Sequence, residues 1–207
     1  MTKRSPMPAY STDLKWRGAP RQPRTRLLVV CGAAGTEPQY IRALNSYLHN
    51  RAVHVKVVEQ GRSPSQVVDY GIKKLTAVKD SYDELWCVVD VDNFEDLDVA
   101  ARKARSSGVR TTLIVSNPCF ELWLVLHFVD HQGHIDSPAQ SKKLLCKHRS
   151  GYDKKIVDFE TVYAPGLADA IRRAKALDPT GEATHVNPST NMWRLVVAMG
   201  AGAGAGT

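Results

Sequence analysis

The chain has 207 residues, of which 43% are hydrophobic and 24% are charged, and its formal net charge at pH 7 is +7. This composition fits one globular domain, large enough to fold without disulfide or metal staples. The sequence contains no run of about 18 apolar residues, which argues against a membrane protein. It also contains no apolar signal segment at its start, which argues against an exported protein. We therefore expect a soluble cytoplasmic protein, with its four cysteines reduced.

The excess of lysine and arginine predicts a phosphate-rich partner, because positive charge attracts polyanions over a Debye length of about 8 Å. Much of this excess lies in the first 26 residues, a proline-containing stretch without a periodic apolar face. We predict a flexible basic arm over residues 1–25, a single domain over residues 26–199 and a disordered Gly/Ala tail over residues 200–207.

Strands and helices alternate through the first half of the chain. Residues 26–31 are an apolar strand, and a Gly/Ala turn then leads to Thr36-Glu37-Pro38, which has the capping residue, acid and early proline of a helix start. Further strands are predicted over 53–58, 85–91 and 110–115, and helices over 63–78 and 95–105. Because helices connect strands that are apolar throughout, we predict an α/β fold with a mainly parallel central sheet and flanking helices.

The second half of the chain is mainly helical in pattern. Candidate helices cover residues 118–129, 137–147, 166–177 and 189–199. We expect these helices to pack on the same sheet rather than to form a second domain. Trp123, Leu124 and Leu126 are expected to lie in the core.

Acidic and amide side chains follow three strands, at the sheet edge where successive loops meet. These segments hold Glu37, residues 90–93 (DVDN) and residues 116–121 (SNPCFE). Two carboxylates at the end of a buried strand repel each other unless they share a hard cation, and Mg²⁺ takes such oxygen ligands. The sequence therefore predicts a magnesium site at Asp90 and Asp92. The alternative is an acidic pair that caps the next helix or faces solvent.

The glutamates of the other two segments have two interpretations each. Glu37 and Glu121 both fall in the first turn of a predicted helix, so each either complements the helix dipole or belongs to the site. Asn117, which precedes Pro118, is suited to cap the second of these helices.

Two further patterns do not predict a site. His127, His131 and His134 would share one face of a continuous helix and would suit zinc, but the residues between them indicate that the helix ends there. Residues 32–35 (GAAG) lie where backbone amides can cradle a phosphate. They lack the Lys-Ser/Thr of a P-loop and the GxGxxG spacing of a dinucleotide fingerprint.

Four segments together resemble the RloB family of bacterial proteins: VVCGAAGTEPQYIRAL, VVDVDN, SNPCFELWLVLHF and NPSTNMWRLV. The resemblance runs from about Arg26 to Met199. It implies a Toprim-like fold, as in topoisomerases, primases and OLD-type nucleases, in which a strand-end glutamate and a DxD pair bind magnesium for phosphodiester chemistry. It also implies a role in phage defence or abortive infection and an AAA-type ATPase partner.

The chain departs from the family pattern at Gly32. Relatives usually read V-C-E-G before T-E-P, which puts the strand-end glutamate at the position of Gly32. Loss of that acid removes a candidate metal ligand or general base. Either Glu37 takes its place, or the site binds metal poorly and the protein is a non-catalytic partner.

The first functional hypothesis is a nuclease that cleaves DNA or RNA with Mg²⁺ or Mn²⁺ bound by Asp90, Asp92 and Glu37. Glu37 or Glu121 would complete the metal shell or handle the proton. The side chains expected to orient these groups are Asn93, Asn117 and His127. The cations expected to hold the nucleic-acid backbone are Lys142, Lys143, Lys154 and Lys155, although each of them also suits a solvated face.

The second hypothesis, motivated by Gly32, is a structural or regulatory subunit that docks on an ATPase. A third treats the DVD sequence as the metal-nucleotide motif of a sugar transferase. The absence of a recognisable nucleotide pocket in the sequence disfavours this third hypothesis.

Overall fold

A computed structural model of the protein describes residues 24–50, 52–77, 81–91, 94–154 and 157–201. Most of the predicted N-terminal arm and residues 202–207 of the predicted tail lie outside the described residues. Asp92, Asn93 and Lys155 also lie outside them. Within the predicted tail, Ala201 is buried against the hydrophobic core.

The core of the fold is a five-stranded sheet in the order β2-β1-β3-β4-β5. The strands are β1 (Thr25–Cys31), β2 (Val53–Glu59), β3 (Glu84–Asp90), β4 (Thr111–Asn117) and β5 (Ser189–Thr190). The first four strands are parallel, and β5 is antiparallel to β4. This arrangement confirms the predicted α/β fold with a mainly parallel sheet, and it is consistent with a Toprim-like fold.

Seven α-helices flank the sheet in the described part of the chain. They are α1 (Thr36–Leu48), α2 (Pro64–Ala77), α3 (Leu97–Ser106), α4 (Glu121–Val125), α5 (Pro138–His148), α6 (Leu167–Leu177) and α7 (Met192–Ala198). A π-helical turn (Phe159–Tyr163) and a 3-10 turn (Ala164–Gly166) precede α6. None of the helices described is long and apolar enough to cross a membrane.

The strand side chains alternate between two hydrophobic clusters, one on each face of the sheet. In β1, Leu27 and Val29 point to the larger cluster, whereas Leu28 and Val30 point to the smaller one. Helices α1 and α4 to α7 cover the larger cluster, and α2 and α3 cover the smaller one. Both faces are therefore buried, which explains why these strands are apolar throughout.

Two helix predictions were wrong in extent. The predicted helix over 118–129 is confined to α4: before it, Asn117 extends β4 and pairs with Ser189, and after Val125 the chain continues in turns. Asn117 is therefore not a helix cap, and its side-chain Nδ2 donates to the carbonyl of Thr184 at 3.1 Å. The predicted helix over 189–199 begins at Met192, because Ser189 and Thr190 form β5. In both places, pairing with a distant strand overrides local helix propensity.

Candidate functional site

The strand order creates a crevice between the carboxyl ends of β1 and β3. β1 lies between β2 and β3, and the helices that follow β1 and β3, α1 and α3, pack on opposite faces of the sheet. The two loops diverge at this point, and open α/β sheets bind ligands where loops diverge in this way. Gly32 begins the first loop and Asp90 ends β3. The Gly32 backbone N–H donates to the carbonyl of Val88 at 2.8 Å, which holds the two strand ends together.

A cavity of about 370 Å³ occupies this crevice. Its lining residues are Gly32, Ala33, Glu37, Gly61, Arg62, Ser63, Pro64, Val89, Asp90 and Phe94. The structure therefore brings two of the predicted site residues, Glu37 and Asp90, to one cavity. The other predicted members from the DVDN segment, Asp92 and Asn93, lie outside the described residues.

Glu37 is a buried carboxyl in the first turn of α1, with 4% of its surface exposed. Burial, assisted by the nearby Glu121 carboxylate, raises the pKa of Glu37 to about 6. A carboxyl with this pKa is partly protonated just below neutral pH, so Glu37 is suited to exchange a proton or to bind a cation that stabilises its charged form.

Glu121 is equally buried, in the first turn of α4, but it has close partners. Lys154 Nζ lies 2.9 Å from Glu121 Oε1, and the Tyr152 hydroxyl donates to the same oxygen at 3.2 Å. Burial alone would raise the pKa of Glu121, but the hydrogen bond and charge of Lys154 outweigh it and hold that pKa below its ordinary value. Glu121 is therefore ionised and fixed in place.

Tyr152 and Thr36 complete this network, and sequence reasoning missed both. The Thr36 Oγ1 atom lies 2.9 Å from the Tyr152 hydroxyl oxygen, in a buried contact. Thr36 is 116 residues from Tyr152 in the chain, so no local spacing signals the contact. The network ties the start of α1, and with it Glu37, to the segment that carries Lys154.

Gly32 leaves room for a Cβ atom at the end of β1. A Cβ atom built on Gly32 would lie 3.4 Å from the Val88 carbonyl oxygen and 3.5 Å from side-chain atoms of Val67 and Val89. These are ordinary van der Waals distances. A side chain can therefore begin at this position, in the lining of the cavity, without a clash at its Cβ atom.

Asp96 anchors the loop that follows Asp90. Its Oδ2 accepts hydrogen bonds from the Ser63 hydroxyl at 2.6 Å and from the Ser65 backbone N–H at 3.0 Å. Burial works against ionisation, but these hydrogen bonds prevail and lower the pKa of Asp96. The ionised Asp96 thus attaches the loop after β3 to the N-terminal end of α2 on the other side of the cavity.

The donor set of the cavity suits a hard divalent cation. Glu37 and Asp90 contribute carboxylate oxygens, which Mg²⁺ and Mn²⁺ prefer over softer ligands. Within the described ranges, no group of three or more His, Cys, Asp or Glu side chains is arranged to hold a metal ion. The third predicted ligand, Asp92, belongs to the segment outside those ranges.

His127 faces the aromatic core of the larger cluster. Its Nδ1 lies 3.0 Å from the Trp123 carbonyl oxygen, and its Nε2 lies 3.0 Å from the Tyr40 hydroxyl. Burial lowers the pKa of His127 to about 4. The ring is therefore neutral, with Nδ1–H donating to Trp123 and Nε2 accepting from Tyr40.

The predicted lysines occupy different settings. Lys142 and Lys143 are exposed on α5, whereas Lys154 forms the ion pair with Glu121. Lys155 lies outside the described residues.

A family model described as RloB-like protein matches residues 27–199. No curated protein and no solved structure matches the chain. The matched span includes both strand ends of the crevice, Gly32 and Asp90, and both buried glutamates. The chain therefore belongs to the RloB-like protein family.

Proposed function

We propose that the protein is a metal-dependent nuclease that cleaves phosphodiester bonds of DNA or RNA at the cavity between β1 and β3. This proposal rests mainly on one observation: Asp90 and Glu37 line one cavity at the point where the loops after β1 and β3 diverge. The net charge of +7 supports a polyanionic substrate. Membership of the RloB-like family supports a role in phage defence with an AAA-type ATPase partner.

In this proposal, Asp90, Glu37 and Asp92 hold Mg²⁺ or Mn²⁺. The bound cation would polarise a phosphate and stabilise charge on the attacking or leaving oxygen. If Asp90 and Asp92 hold the cation without Glu37, burial keeps the Glu37 pKa at about 6, and Glu37 is then suited to accept a proton from the attacking water. Glu121 has a positioning role, because Lys154 and Tyr152 hold it and Thr36 connects this network to the start of α1.

A second function is favoured by one observation, the glycine at position 32. If the missing carboxylate leaves too few ligands, the protein is a structural or regulatory subunit that docks on the ATPase. The difference is testable by placing a carboxylate at position 32, because a Cβ atom there meets its neighbours only at ordinary van der Waals distances.

The test is cleavage of labelled tRNA and DNA with magnesium, with EDTA and with the cognate ATPase and ATP present. We expect wild-type protein to cleave, Asp90→Ala to lose at least about tenfold in rate through loss of transition-state stabilisation, and EDTA to stop the reaction. Gly32→Glu should cleave at least as fast as wild type, and Gly32→Gln is its uncharged control.

Absence of cleavage by wild type and by Gly32→Glu, with the ATPase present, would contradict the nuclease proposal. Cleavage by Gly32→Glu but not by wild type would support the docking subunit. It would show that the wild-type site is complete except for one carboxylate. Cleavage by Asp90→Ala at the wild-type rate would leave the activity but reject the site.

A further inference from the structure

Two cavities adjoin at Arg62. The first is the cavity that holds Glu37 and Asp90, and the second, of about 350 Å³, is lined by Arg62, Gln66, Asp69, Tyr70 and Lys73. The residues of the second cavity lie on α2 or just before it. We call the two cavities together the α2 groove. The α2 groove leads from the strand ends along one helix.

Each part of the α2 groove has an aromatic ring. Phe94 lines the first cavity with 44% of its surface exposed, and Tyr70 lines the second. The Lys74 Nζ atom lies 5.7 Å from the centre of the Tyr70 ring. A single exposed apolar residue is common on protein surfaces. Phe94 differs from such a residue because it lines the same cavity as Glu37 and Asp90, where it is placed to contact a ligand.

Cations accompany the two rings. Arg62 is exposed, and its backbone N–H donates to the Gly32 carbonyl at 3.3 Å, which keeps it beside the strand ends. Lys73 lines the second cavity. The acidic residue there, Asp69, is offset by its ion pair with Lys103. Apart from Glu37 and Asp90, the carboxylates proposed to hold the cation, the groove offers aromatic faces interleaved with positive charge, which is the pattern of single-stranded nucleic-acid binding.

The size of the first cavity also favours a single strand. Its volume of about 370 Å³ is near the lower end of ligand pockets, about 300–1,000 Å³, and suits one nucleotide rather than a duplex. Inside a duplex, neighbouring bases cover both faces of each base. An unpaired base can instead stack on an aromatic side chain.

We infer that an unpaired segment of nucleic acid binds in the α2 groove, with a base stacked on Phe94, a phosphate at Arg62 and the strand continuing past Tyr70 and Lys73. This inference rests on the proposed function, because it names the substrate class that brings a phosphodiester to Asp90 and Glu37. It places the substrate on the face of the sheet that α2 covers, opposite α5 with Lys142 and Lys143.

The test is fluorescence anisotropy of the full chain in EDTA, where binding is separated from cleavage. The probes are labelled single-stranded DNA, single-stranded RNA and a duplex of the same sequence. We expect a single strand to bind more tightly than the duplex, and the DNA and RNA probes identify the preferred sugar. Phe94→Ala should weaken single-strand binding about tenfold. Arg62→Ala should weaken it and reduce the slope of log affinity against log salt by about 0.7.

The matched control is Tyr47→Ala, because Tyr47 has the same exposure of 44% but lies on α1. It should bind as wild type does. The inference is overturned if wild type binds no single strand or binds the duplex equally well. It is also overturned if Phe94→Ala and Tyr47→Ala bind the single strand with the same affinity. Loss of single-strand binding in the double variant Lys142→Ala/Lys143→Ala, but not in Phe94→Ala, would likewise overturn it.

The two proposals fail separately. If Phe94→Ala and Arg62→Ala lose single-strand binding in EDTA but wild type does not cleave with magnesium, binding in the α2 groove is supported and the nuclease proposal fails. If wild type cleaves and Phe94→Ala binds and cleaves as wild type does, the nuclease proposal is supported and binding in the α2 groove is rejected.

Discussion

Glu37 and Glu121 invite comparison, because both begin helices on the same face of the sheet and both have 4% of their surface exposed. Glu121 has a lysine and a tyrosine as direct partners, and its pKa is lowered. Glu37 lines the cavity beside Asp90, and its pKa is raised to about 6. Equal exposure thus accompanies opposite pKa shifts, because Lys154 and Tyr152 are direct partners of Glu121 and the lysine stabilises its charged form.

We expect the greatest change in stability at low pH, because the buried ring of His127 is neutral in the folded protein. Burial lowers the pKa of His127 to about 4, and the positive charge of Arg173 acts in the same direction. The unfolded chain therefore binds the extra proton first, and stability is lost as pH falls from about 6.5 towards 4, by up to about 3 kcal/mol. Urea unfolding at several pH values should show a flatter profile for His127→Gln than for wild type.

Glu37 contributes with the opposite sign in the same pH range. Its folded-state pKa is raised, so its contribution to stability is present at low pH and is lost as pH rises from about 4.5 to 6. Both proteins in the comparison retain Glu37, so this contribution cancels. Equal pH profiles for wild type and His127→Gln would contradict the neutral buried ring.

The two glutamates themselves should respond differently to removal of charge. Glu121→Gln should lower the free energy of unfolding at pH 7 by about 2 kcal/mol, since it weakens a buried contact with a partly exposed lysine. Glu37→Gln should leave stability unchanged or raise it by about 1 kcal/mol, because burial makes the charged form of Glu37 costly. Urea unfolding measures the free energy of unfolding of both variants. An equal loss in Glu121→Gln and Glu37→Gln would contradict the difference between the two glutamates.

The smallest effect tests the network behind Glu121. Tyr152→Phe removes the hydroxyl that donates to Glu121 and contacts Thr36, so we expect a loss of about 1 kcal/mol in the free energy of unfolding. Tyr47→Phe is the control, because Tyr47 is an exposed tyrosine outside the network. Losses of the same size in both variants would show that the network adds no stability.

The first half of the fold was predictable from sequence, because apolar strands and amphipathic helices alternate there at short range. The meeting of Glu37 and Asp90 followed from the rule that parallel strands end at one edge. The Glu121 network was not predictable, since Tyr152 is 31 residues from Glu121 and 116 from Thr36. The short strand β5 was missed for the same reason, because its partner is β4, more than 70 residues earlier.

We propose that the cation site lies in the cavity with Asp90 and Glu37 and not in the buried network of Glu121, Tyr152 and Lys154. Isothermal titration of Mn²⁺ into wild type, Asp90→Ala, Glu121→Gln and Gly32→Glu tests it most directly. We predict that Asp90→Ala weakens binding more than about tenfold through loss of a carboxylate ligand, that Glu121→Gln binds as wild type does, and that Gly32→Glu binds more tightly. Unchanged binding in Asp90→Ala, or loss of binding in Glu121→Gln alone, would contradict the claim.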